Sequence, residues 1–328
     1  MRNIKKWIHK TLILAVFLVS SLDARDIVTQ YRLHGIENIE KELDRELASQ
    51  EYWSNYLRDK DTTFGYIESY NAVLTCNKEK NILNLYKKDE NQTFAFKKDY
   101  DAFTGKIKGD KEKEGDLKTP VGIYDLTKRI DKVDSFYGPL ALVTSYPNIY
   151  DSYRGKNGYG IWIHGLPTEQ ERDDFTKGCI AINNGHIECL NRRININDTL
   201  LIINEQEVQK NISKEKLALL LAQLYQWRFS WIYNELEEYL SFYSPEFVRV
   251  DKMDYERFKE YKTRVFNKNE EKTILFTNIN VLPYPNTENI FQITFNEFYK
   301  SPSFEFRGDK ALIVRLNAHN KIEILTEK

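Results

Sequence analysis

Three patterns of apolar and polar residues follow one another along the chain and predict three kinds of structure. Between Ile36 and Asp59, apolar residues recur every three or four positions, as expected of an amphipathic helix. From Phe64 to Asn204, short apolar runs alternate with polar turns, which predicts a mainly β domain. After a boundary at residues 205–213, helical patterns precede strand patterns, so the last part is predicted to be an α+β domain.

The middle part contains frequent short strands and a single predicted helix. Polar turns separate the strands, including a charged loop from Lys106 to Lys118, and the helix covers Asn184 to Arg193. The predicted strands lie within Val73-Leu74, Ile82 to Tyr86, Thr93 to Phe96, Gly122 to Leu126, Leu140 to Val143, Ile161 to Ile163 and Leu200 to Ile203.

The last part begins with a long predicted helix. Ser213 is a suitable N-cap for it, and its apolar side continues to Ile232. Pro245 ends the helical segment that follows, and another helix is predicted from Asp254 to Asn267. Strands are then predicted over Thr273 to Leu282, Ile290 to Tyr299, Ala311 to Leu316 and Ile322 to Leu325.

The N-terminus has the composition of an export signal. Basic residues precede the apolar run Leu12 to Val19, which is short for a transmembrane helix but long enough for the core of a signal peptide. Small residues at Ser20, Ser21 and Ala24 offer an imperfect cleavage site, so an uncleaved membrane anchor is the alternative. We therefore expect a signal peptide at residues 1–24 and a periplasmic location.

The overall composition fits a globular protein of two or three domains. The chain has 328 residues and a formal net charge of -1, which argues against a nucleic acid or another polyanion as partner. Its three cysteines are too few for a disulfide scaffold. Cys76 and Cys189 could form a disulfide in an oxidising compartment or remain ordinary buried thiols, and in either case Cys179 is free.

One histidine and one cysteine stand out because each lies beside a glycine in an apolar, strand-like run. His164 precedes Gly165, and Cys179 follows Gly178. An imidazole can take the proton of a thiol and make it a nucleophilic thiolate, and the N–H groups of Gly178 and Cys179 could stabilise an oxyanion. For an isolated pair, the alternative is a buried core cysteine and a hydrogen-bonded histidine at a strand end.

A metal site is a second chemical interpretation of the same residues. His164, Cys179, His186 and Cys189 are ligand types that zinc accepts. They lack the paired Cys-x-x-Cys or His-x-x-x-His spacing of compact zinc sites. We therefore expect no metal and no other cofactor.

Four motifs together resemble the YkuD-type L,D-transpeptidase catalytic domain over about residues 64–204. Lys118-Thr119-Pro120-Val121-Gly122-Ile123-Tyr124 is similar to the family's Thr-Pro-x-Gly-x-aromatic motif, and Ile163-His164-Gly165 to its His-Gly motif. Thr176-Lys177-Gly178-Cys179-Ile180 is similar to its Ser-His-Gly-Cys-aliphatic signature. The run Asn195 to Ile203 fits its last strand, and the order of the four motifs makes the resemblance specific.

This resemblance implies a β-sandwich enzyme that cleaves the L,D bond after the third residue of a peptidoglycan stem peptide. It assigns Cys179 as the nucleophile, His164 as its base and the Gly165 carbonyl as the group that orients the imidazole. Attack would give a thioester acyl-enzyme, with D-alanine as the leaving group. The predicted domains are then a helical arm at 25–62, a catalytic domain at 63–205 and the α+β domain at 213–328.

The sequence departs from the family pattern at two positions. Lys177 stands where many members have a second histidine, and Ala181 where many have Arg or Asn. Our candidates for substrate binding are Lys177, Thr176 and Arg154. Arg154 begins the glycine-rich loop Arg154-Gly155-Lys156-Asn157-Gly158 and could bind a terminal carboxylate through two hydrogen bonds. The alternative is that Lys177 and Arg154 are simply solvated.

The variant signature resembles the branch that contains the cell-shape L,D-carboxypeptidases of helical Gram-negative bacteria. In that branch water resolves the acyl-enzyme, so that a tetrapeptide stem becomes a tripeptide. A transpeptidase would transfer the same acyl group to an amine, either forming cross-links or attaching a protein to the wall, and a non-catalytic wall-binding protein is a further alternative. Resemblance to the branch favours the carboxypeptidase and an influence on cell shape.

The last part resembles the nuclear-transport-factor-like fold over about residues 213–328. The resemblance rests on Trp231, the run Tyr239 to Phe247 and the late strand Phe291 to Phe295. It implies a cone with a pocket in which a glycan or a peptide could bind, and the alternative is that the aromatic residues only fill the cone. The helical arm could pack on its own chain or form a homodimer.

Overall fold

The computed structural model describes residues 27–168 and 174–328. The predicted signal peptide at residues 1–24 lies outside the described residues. Within the two described ranges, no helix combines the length and apolar character needed to cross a membrane.

The first described elements are two helices, α1 at residues 27–47 and α2 at Gln50–Tyr56. Ser49 separates them, because its side chain accepts a hydrogen bond from the Tyr52 N–H as the N-cap of α2. The prediction of one continuous helix from Ile36 to Asp59 was therefore wrong. The pattern of apolar residues continues across the break, which is why periodicity alone did not reveal it.

Eight strands of the middle part form a closed barrel in the order β2-β3-β4-β8-β7-β6-β5-β9. Two sheets make up the ring, and β4 and β5 belong to both. The mainly β prediction is thus confirmed. The strands are β2 (Ala72–Asn77), β3 (Ile82–Lys88), β4 (Phe94–Phe103), β5 (Gly122–Ile130), β6 (Ala141–Thr144), β7 (Trp162–His164), β8 (Ile180–Ile182) and β9 (Thr199–Asn204), with helices α3 (Ile149–Tyr153) and α4 (Asn184–Arg193) and short 3-10 turns at Ser135–Tyr137 and Ile196–Asp198.

The last part has helices followed by a sheet, as predicted. Ser213 caps α5 by accepting from the Lys216 N–H, and Asp254 caps α7 in the same way through Arg257. The elements are α5 (Lys214–Ile232), α6 (Leu236–Ser241), α7 (Tyr255–Phe266), β10 (Thr273–Pro283), β11 (Ile290–Ser301), β12 (Phe304–Leu316) and β13 (Ile322–Glu327).

The C-terminal sheet also contains a strand from the beginning of the chain. Strand β1 (Tyr66–Ile67) pairs antiparallel with β10, so that the sheet order is β1-β10-β11-β12-β13. The helices before it pack on the same domain: Trp53 is 5.2 Å from the ring of Tyr225, and Asp44 forms a buried ion pair with Arg228 at 2.7 Å. The segment up to β1 therefore packs in cis against the C-terminal domain.

A shared hydrophobic cluster joins the barrel to the C-terminal sheet. Ile123 of the barrel and Leu282 of the sheet both belong to it and are almost fully buried. Beside the cluster, the Asn148 amide donates a 2.9 Å hydrogen bond to the Tyr284 hydroxyl. The two domains thus share one continuous packed interface.

Candidate active site

Strands β7 and β8 bring the predicted histidine and cysteine together. They pair in parallel, with Ile163 opposite Ile180 and His164 opposite Ala181. Extrapolating this register by one residue places Cys179 beside Trp162. Because side chains alternate along a strand, Cys179 and His164 then lie on one face as diagonal neighbours on adjacent strands.

The His164 ring is held in one orientation and one tautomer. The side chain is buried, and its Nδ1 lies 2.6 Å from the carbonyl oxygen of Gly165. Since a carbonyl oxygen can only accept, Nδ1 carries the proton in this contact and Nε2 is the basic nitrogen. The imidazole is therefore prepared to accept a proton through Nε2.

The Cys179 thiol is half-buried at the start of β8. Its Sγ lies 3.4 Å from the carbonyl oxygen of Gly160, which precedes β7. The thiol therefore has an acceptor on the neighbouring strand while part of it faces solvent. A substrate can approach such a sulfur, whereas a fully buried core thiol would be shielded.

A tyrosine outside the sequence motifs completes the surroundings of the pair. The Tyr137 ring packs edge-to-face on His164 with centroids 5.0 Å apart, and it lies 5.1 Å from Trp162. Burial and the nearby Cys179 raise the pKa of Tyr137 above its ordinary value. Its hydroxyl is therefore in the neutral, proton-donating form beside the thiol at physiological pH.

Thr176 organises the turn that presents the cysteine. Its hydroxyl donates to the Cys179 carbonyl at 2.7 Å and accepts from the Gly178 N–H at 3.0 Å. The Gly178 N–H is thus engaged inside the turn, and it must leave Thr176 or share its hydrogen to serve an oxyanion. The predicted oxyanion role of Gly178 and the substrate-binding role of Thr176 stay predictions.

Two glycines of the motifs are required by space or by backbone conformation. Gly178 has φ +135°, and a Cβ there would lie 2.8 Å from the carbonyl oxygen of Lys118. A Cβ on Gly165 would lie 2.3 Å from the Asn184 Oδ1, which accepts the Leu166 N–H. Helix α4 therefore packs directly on the carbonyl-bearing glycine that orients His164.

The other two candidates for substrate binding differ in their surroundings. Lys177 is exposed beside the nucleophile. The Arg154 guanidinium contacts Asp151 at 3.1 Å and Asp110 at 3.3 Å, and it stacks on Tyr150. Two of its five N–H donors are therefore engaged by carboxylates, and its predicted binding of a substrate carboxylate stays a prediction.

Asp151 is the centre of a buried polar network below this loop. It is 0% exposed and contacts Lys156 at 2.9 Å, Arg154, and the Tyr124 hydroxyl at 3.0 Å. Its side chain also accepts from the Asn148 N–H, which closes a capping box on α3. The network anchors the segment that continues to Gly160 and so to the Cys179 thiol.

The described residues contain no group of three or more His, Cys, Asp or Glu side chains placed to hold a metal ion. His186 instead packs on Tyr100, and Cys189 accepts from Arg193 Nε at 3.2 Å. Cys76, Cys179 and Cys189, all within the described ranges, form no disulfide. The arrangement at Cys179 and His164 is thus suited to nucleophilic attack by sulfur on a carbonyl carbon.

Sequence reasoning missed Tyr137, Gly160 and Asn184. Tyr137 and Asn184 reach the site only through tertiary packing, and no spacing rule marks them. Gly160 lies two residues beyond the predicted glycine-rich loop, which ends at Gly158, and its carbonyl role depends on the register of β7 and β8.

Two known families match separate parts of the chain. The L,D-transpeptidase catalytic domain family matches residues 71–203, and the Cds6 C-terminal NTF2-like domain family matches residues 219–328. The Escherichia coli K12 protein YafK, whose name assigns it provisionally to the L,D-transpeptidases, is 35% identical over 80 residues. That match spans 24% of this chain and 29% of YafK.

Solved structures of two proteins resemble most of the chain. The helical cell shape determining protein Pgp2 of Campylobacter jejuni is 38% identical, with a TM-score of 0.78, over 86% of this chain and 99% of Pgp2. Bd1075 of Bdellovibrio bacteriovorus, at 24% identity and a TM-score of 0.65 over 82% of this chain and 96% of its own, shows the same fold. With an L,D-transpeptidase catalytic domain followed by an NTF2-like domain, and with nearly all of Pgp2 covered at this identity, the chain belongs to the Pgp2 family.

Proposed function

We propose that the protein is a periplasmic L,D-carboxypeptidase of peptidoglycan that removes the terminal D-alanine from tetrapeptide stems. The observation that carries the proposal is the His164 and Cys179 pair on one face of β7 and β8, with His164 Nδ1 bound to the Gly165 carbonyl. Membership of the L,D-transpeptidase domain family supports the substrate class.

The reaction proceeds through two acyl transfers. His164 Nε2 takes the Cys179 proton, and the thiolate attacks the carbonyl carbon of the third stem residue, which is bonded to the nitrogen of D-alanine. The tetrahedral intermediate collapses to a thioester as D-alanine leaves with the proton from His164. Water, deprotonated by the same imidazole, then attacks the thioester and releases a tripeptide stem and the thiol.

The alternative acceptor is an amine of a second stem peptide, which would make the enzyme a transpeptidase. Purified protein incubated with tetrapeptide muropeptides should release D-alanine and yield tripeptides, and the Cys179→Ala protein should do neither. Equal release by both proteins would exclude the cysteine mechanism. Cross-linked dimers in preference to tripeptides, when an amine acceptor is supplied, would assign the protein as a transpeptidase.

The proposed activity belongs in the periplasm, where peptidoglycan is built, and it would influence cell shape. Pgp2 is named as a helical cell shape determining protein, and this chain covers nearly all of it. Deletion of the gene should therefore change cell curvature and raise the tetrapeptide content of the wall. Unchanged curvature together with an unchanged ratio of tetrapeptides to tripeptides would contradict this role.

The C-terminal domain offers a pocket of about 420 Å³ for a further segment of the substrate. Lys262 lines it, and within the described part of the chain the buried Glu297 Oε2 and Trp231 Nε1 have no hydrogen-bond partner. A cation, a carboxylate and an indole donor suit a peptide better than an uncharged glycan. Calorimetry should show that stem peptides bind more tightly than stem-free glycan. The Glu297→Gln variant should bind the stem peptide more weakly than the wild type does.

Helix α1 is proposed to form a homodimer. Ile39 is buried in cis, while Tyr31 and Ile36, which lie on either side of Ile39 around the helix, are exposed by 57% and 63%. Apolar side chains of this size on one helix are covered at little cost by a second copy. Light scattering should give a dimer for the wild type and a monomer for the double variant Tyr31→Glu/Ile36→Glu, and a monomeric wild type would contradict the proposal.

A further inference from the structure

A groove with a volume of about 710 Å³ lies between the two domains. The barrel contributes one wall, from β5, the end of β6 and the 3-10 turn at Ile196–Asp198. The outer face of β10, β11 and β12 contributes the other. Lys310 is the only side chain shared with the C-terminal pocket, so the two are separate sites.

The wall from the C-terminal sheet is a row of amide and hydroxyl groups. Gln292, Thr294 and Asn296 alternate along β11 and therefore point to the same side. Their neighbours orient two of them, since Asn280 donates to Thr294 at 3.0 Å and Asn296 donates to Asp309. The side-chain amide of Gln292 has no hydrogen bond within the described residues, so it is available to a ligand.

The wall from the barrel has similar chemistry. The side chain of Asn197 is exposed beside Ser145, and the Tyr70 hydroxyl donates to Asp125 at 2.6 Å. Amides, hydroxyls and carboxylates on both walls can bind the hydroxyl and acetamido groups of a sugar, and a tyrosine ring can cover its apolar face. With two acidic and two basic residues lining it, the groove suits a ligand without net charge.

Strand pairing relates the groove to the nucleophile. Ser145 follows Thr144, whose N–H donates to the Ile161 carbonyl at 3.1 Å on the next strand. The preceding residue, Gly160, accepts from the Cys179 thiol, one strand further along. Two strand spacings amount to roughly 10 Å. Three residues of an extended stem peptide also span about 10 Å.

We infer that the interdomain groove binds the glycan strand of peptidoglycan, so that a stem peptide attached to that strand reaches Cys179. The inference rests on the proposed function for the identity of the polymer. It adds a reason for the packing of the two domains, because each supplies one wall. The enzyme then recognises stems attached to glycan in preference to free peptides.

The test removes one amide from each wall. Variants Asn197→Ala, Gln292→Ala and the double variant are compared with Gln226→Ala, which removes an exposed amide on α5 outside the groove. Two substrates are used: glycan chains carrying tetrapeptide stems, and the same tetrapeptide freed from sugar. Thermal unfolding of each variant verifies that it is folded.

We expect kcat/KM of the wild type to be higher for the glycan-linked substrate than for the free tetrapeptide. In the double variant the ratio of these two values should fall about tenfold, because KM for the glycan-linked substrate rises. The Gln226→Ala control should keep it. A wild type without preference, or a folded double variant that retains it, would overturn the inference.

Direct binding separates this inference from the proposed activity. If the wild type turns over neither substrate, the proposed carboxypeptidase activity is wrong. Binding of stem-free glycan strands to the Cys179→Ala protein then tests whether the groove binds glycan. Glycan binding that weakens about tenfold in the double variant, but not in Gln226→Ala, supports the groove as the glycan site. Equal glycan binding by the Cys179→Ala protein, the double variant and Gln226→Ala excludes it.

Discussion

The catalytic barrel and the pocket of the C-terminal domain each contain a buried charge, and the two charges differ in whether they are paired. In the barrel, Asp151 is fully buried and meets two cations, Arg154 and Lys156, within 3.1 Å. In the C-terminal domain, Lys262 is 7% exposed and faces the ring of Trp231 at 4.2 Å. Among the described residues, no carboxylate forms an ion pair with Lys262.

The electrostatics of the C-terminal pocket follow from this difference. Burial lowers the pKa of Lys262 to about 8, and burial raises the pKa of Glu297. Charges that are fully paired fix a loop in place, whereas charges that are buried and incompletely satisfied mark a place where a ligand can compensate them. The barrel network therefore stabilises the loop, and the incompletely satisfied charges support our proposal that the C-terminal pocket binds a ligand.

The largest expected effect is a loss of catalysis without a loss of stability, when the proposed base His164 is replaced. His164→Gln should lower kcat for D-alanine release about a thousandfold, because no side chain is left to take the thiol proton. The variant should unfold at nearly the wild-type temperature, as measured by calorimetry. Activity within tenfold of the wild type would show that another group acts as the base.

Breaking the paired network should cost stability. Asp151→Ala should lower the free energy of unfolding by about 2 to 3 kcal/mol, because it removes a fully buried carboxylate and leaves Arg154 and Lys156 with Asp110 as their remaining carboxylate partner. The matched control is Asp131→Ala, which removes an exposed partner of Arg129 and should change the same quantity by less than about 0.5 kcal/mol. Equal losses in denaturant unfolding of the two variants would remove the contrast between the domains.

The C-terminal domain should respond in the opposite direction. Lys262→Met should raise the free energy of unfolding at pH 7 by about 1 kcal/mol, since a buried cation is replaced by an apolar side chain of similar length. Lys259→Met, an exposed lysine on the same helix, should have almost no effect. A large loss of stability in Lys262→Met would indicate that Lys262 is a structural cation after all.

The difference in stability between the wild type and Lys262→Met should depend on pH in a defined direction. Because the folded pKa of Lys262 is about 8 and lies below its unfolded value, the unfolded chain binds more protons between them. Wild-type stability should therefore gain on the Lys262→Met variant as the pH rises above 8. A difference that is constant from pH 7 to 10 would contradict the lowered pKa.

The smallest expected effect concerns the thiols. Burial raises the pKa of Cys76 to about 12, so this thiol should not react with a thiol reagent at pH 8 in the folded protein. Cys179, which is partly exposed, should react, and peptide mapping would identify the labelled residue. Labelling of Cys76 at the rate of Cys179 would show that the barrel opens locally.

Local chemistry explains which elements could be predicted from the sequence. Helix α4 has the predicted bounds, and Ser213 and Asp254 cap their helices, because a cap depends on neighbouring residues. The pairing of β1 with β10 joins residues more than 200 positions apart, and no local pattern signals it. The break at Ser49 was hidden because apolar residues keep helical spacing across it.

The candidate site shows the same division. His164, Cys179 and the two glycines beside them could be found because the chemistry fixes their residue types and order. Tyr137 and Asn184 could not, since their roles arise from packing between distant segments. Nor could the sequence indicate that Arg154 is held by Asp110 and Asp151, because the charge pattern of a loop does not reveal its partners.

The most direct measurement is the intact mass of the enzyme during turnover of tetrapeptide muropeptide. An acyl-enzyme on sulfur requires a transient mass increase equal to the acylated tripeptide portion, mapped to the peptide that contains Cys179 and removed by hydroxylamine. The Cys179→Ala protein should show no such increase. D-alanine release by the wild type without any adduct on Cys179 during rapid quenching, together with release by Cys179→Ala, would contradict nucleophilic catalysis by this cysteine.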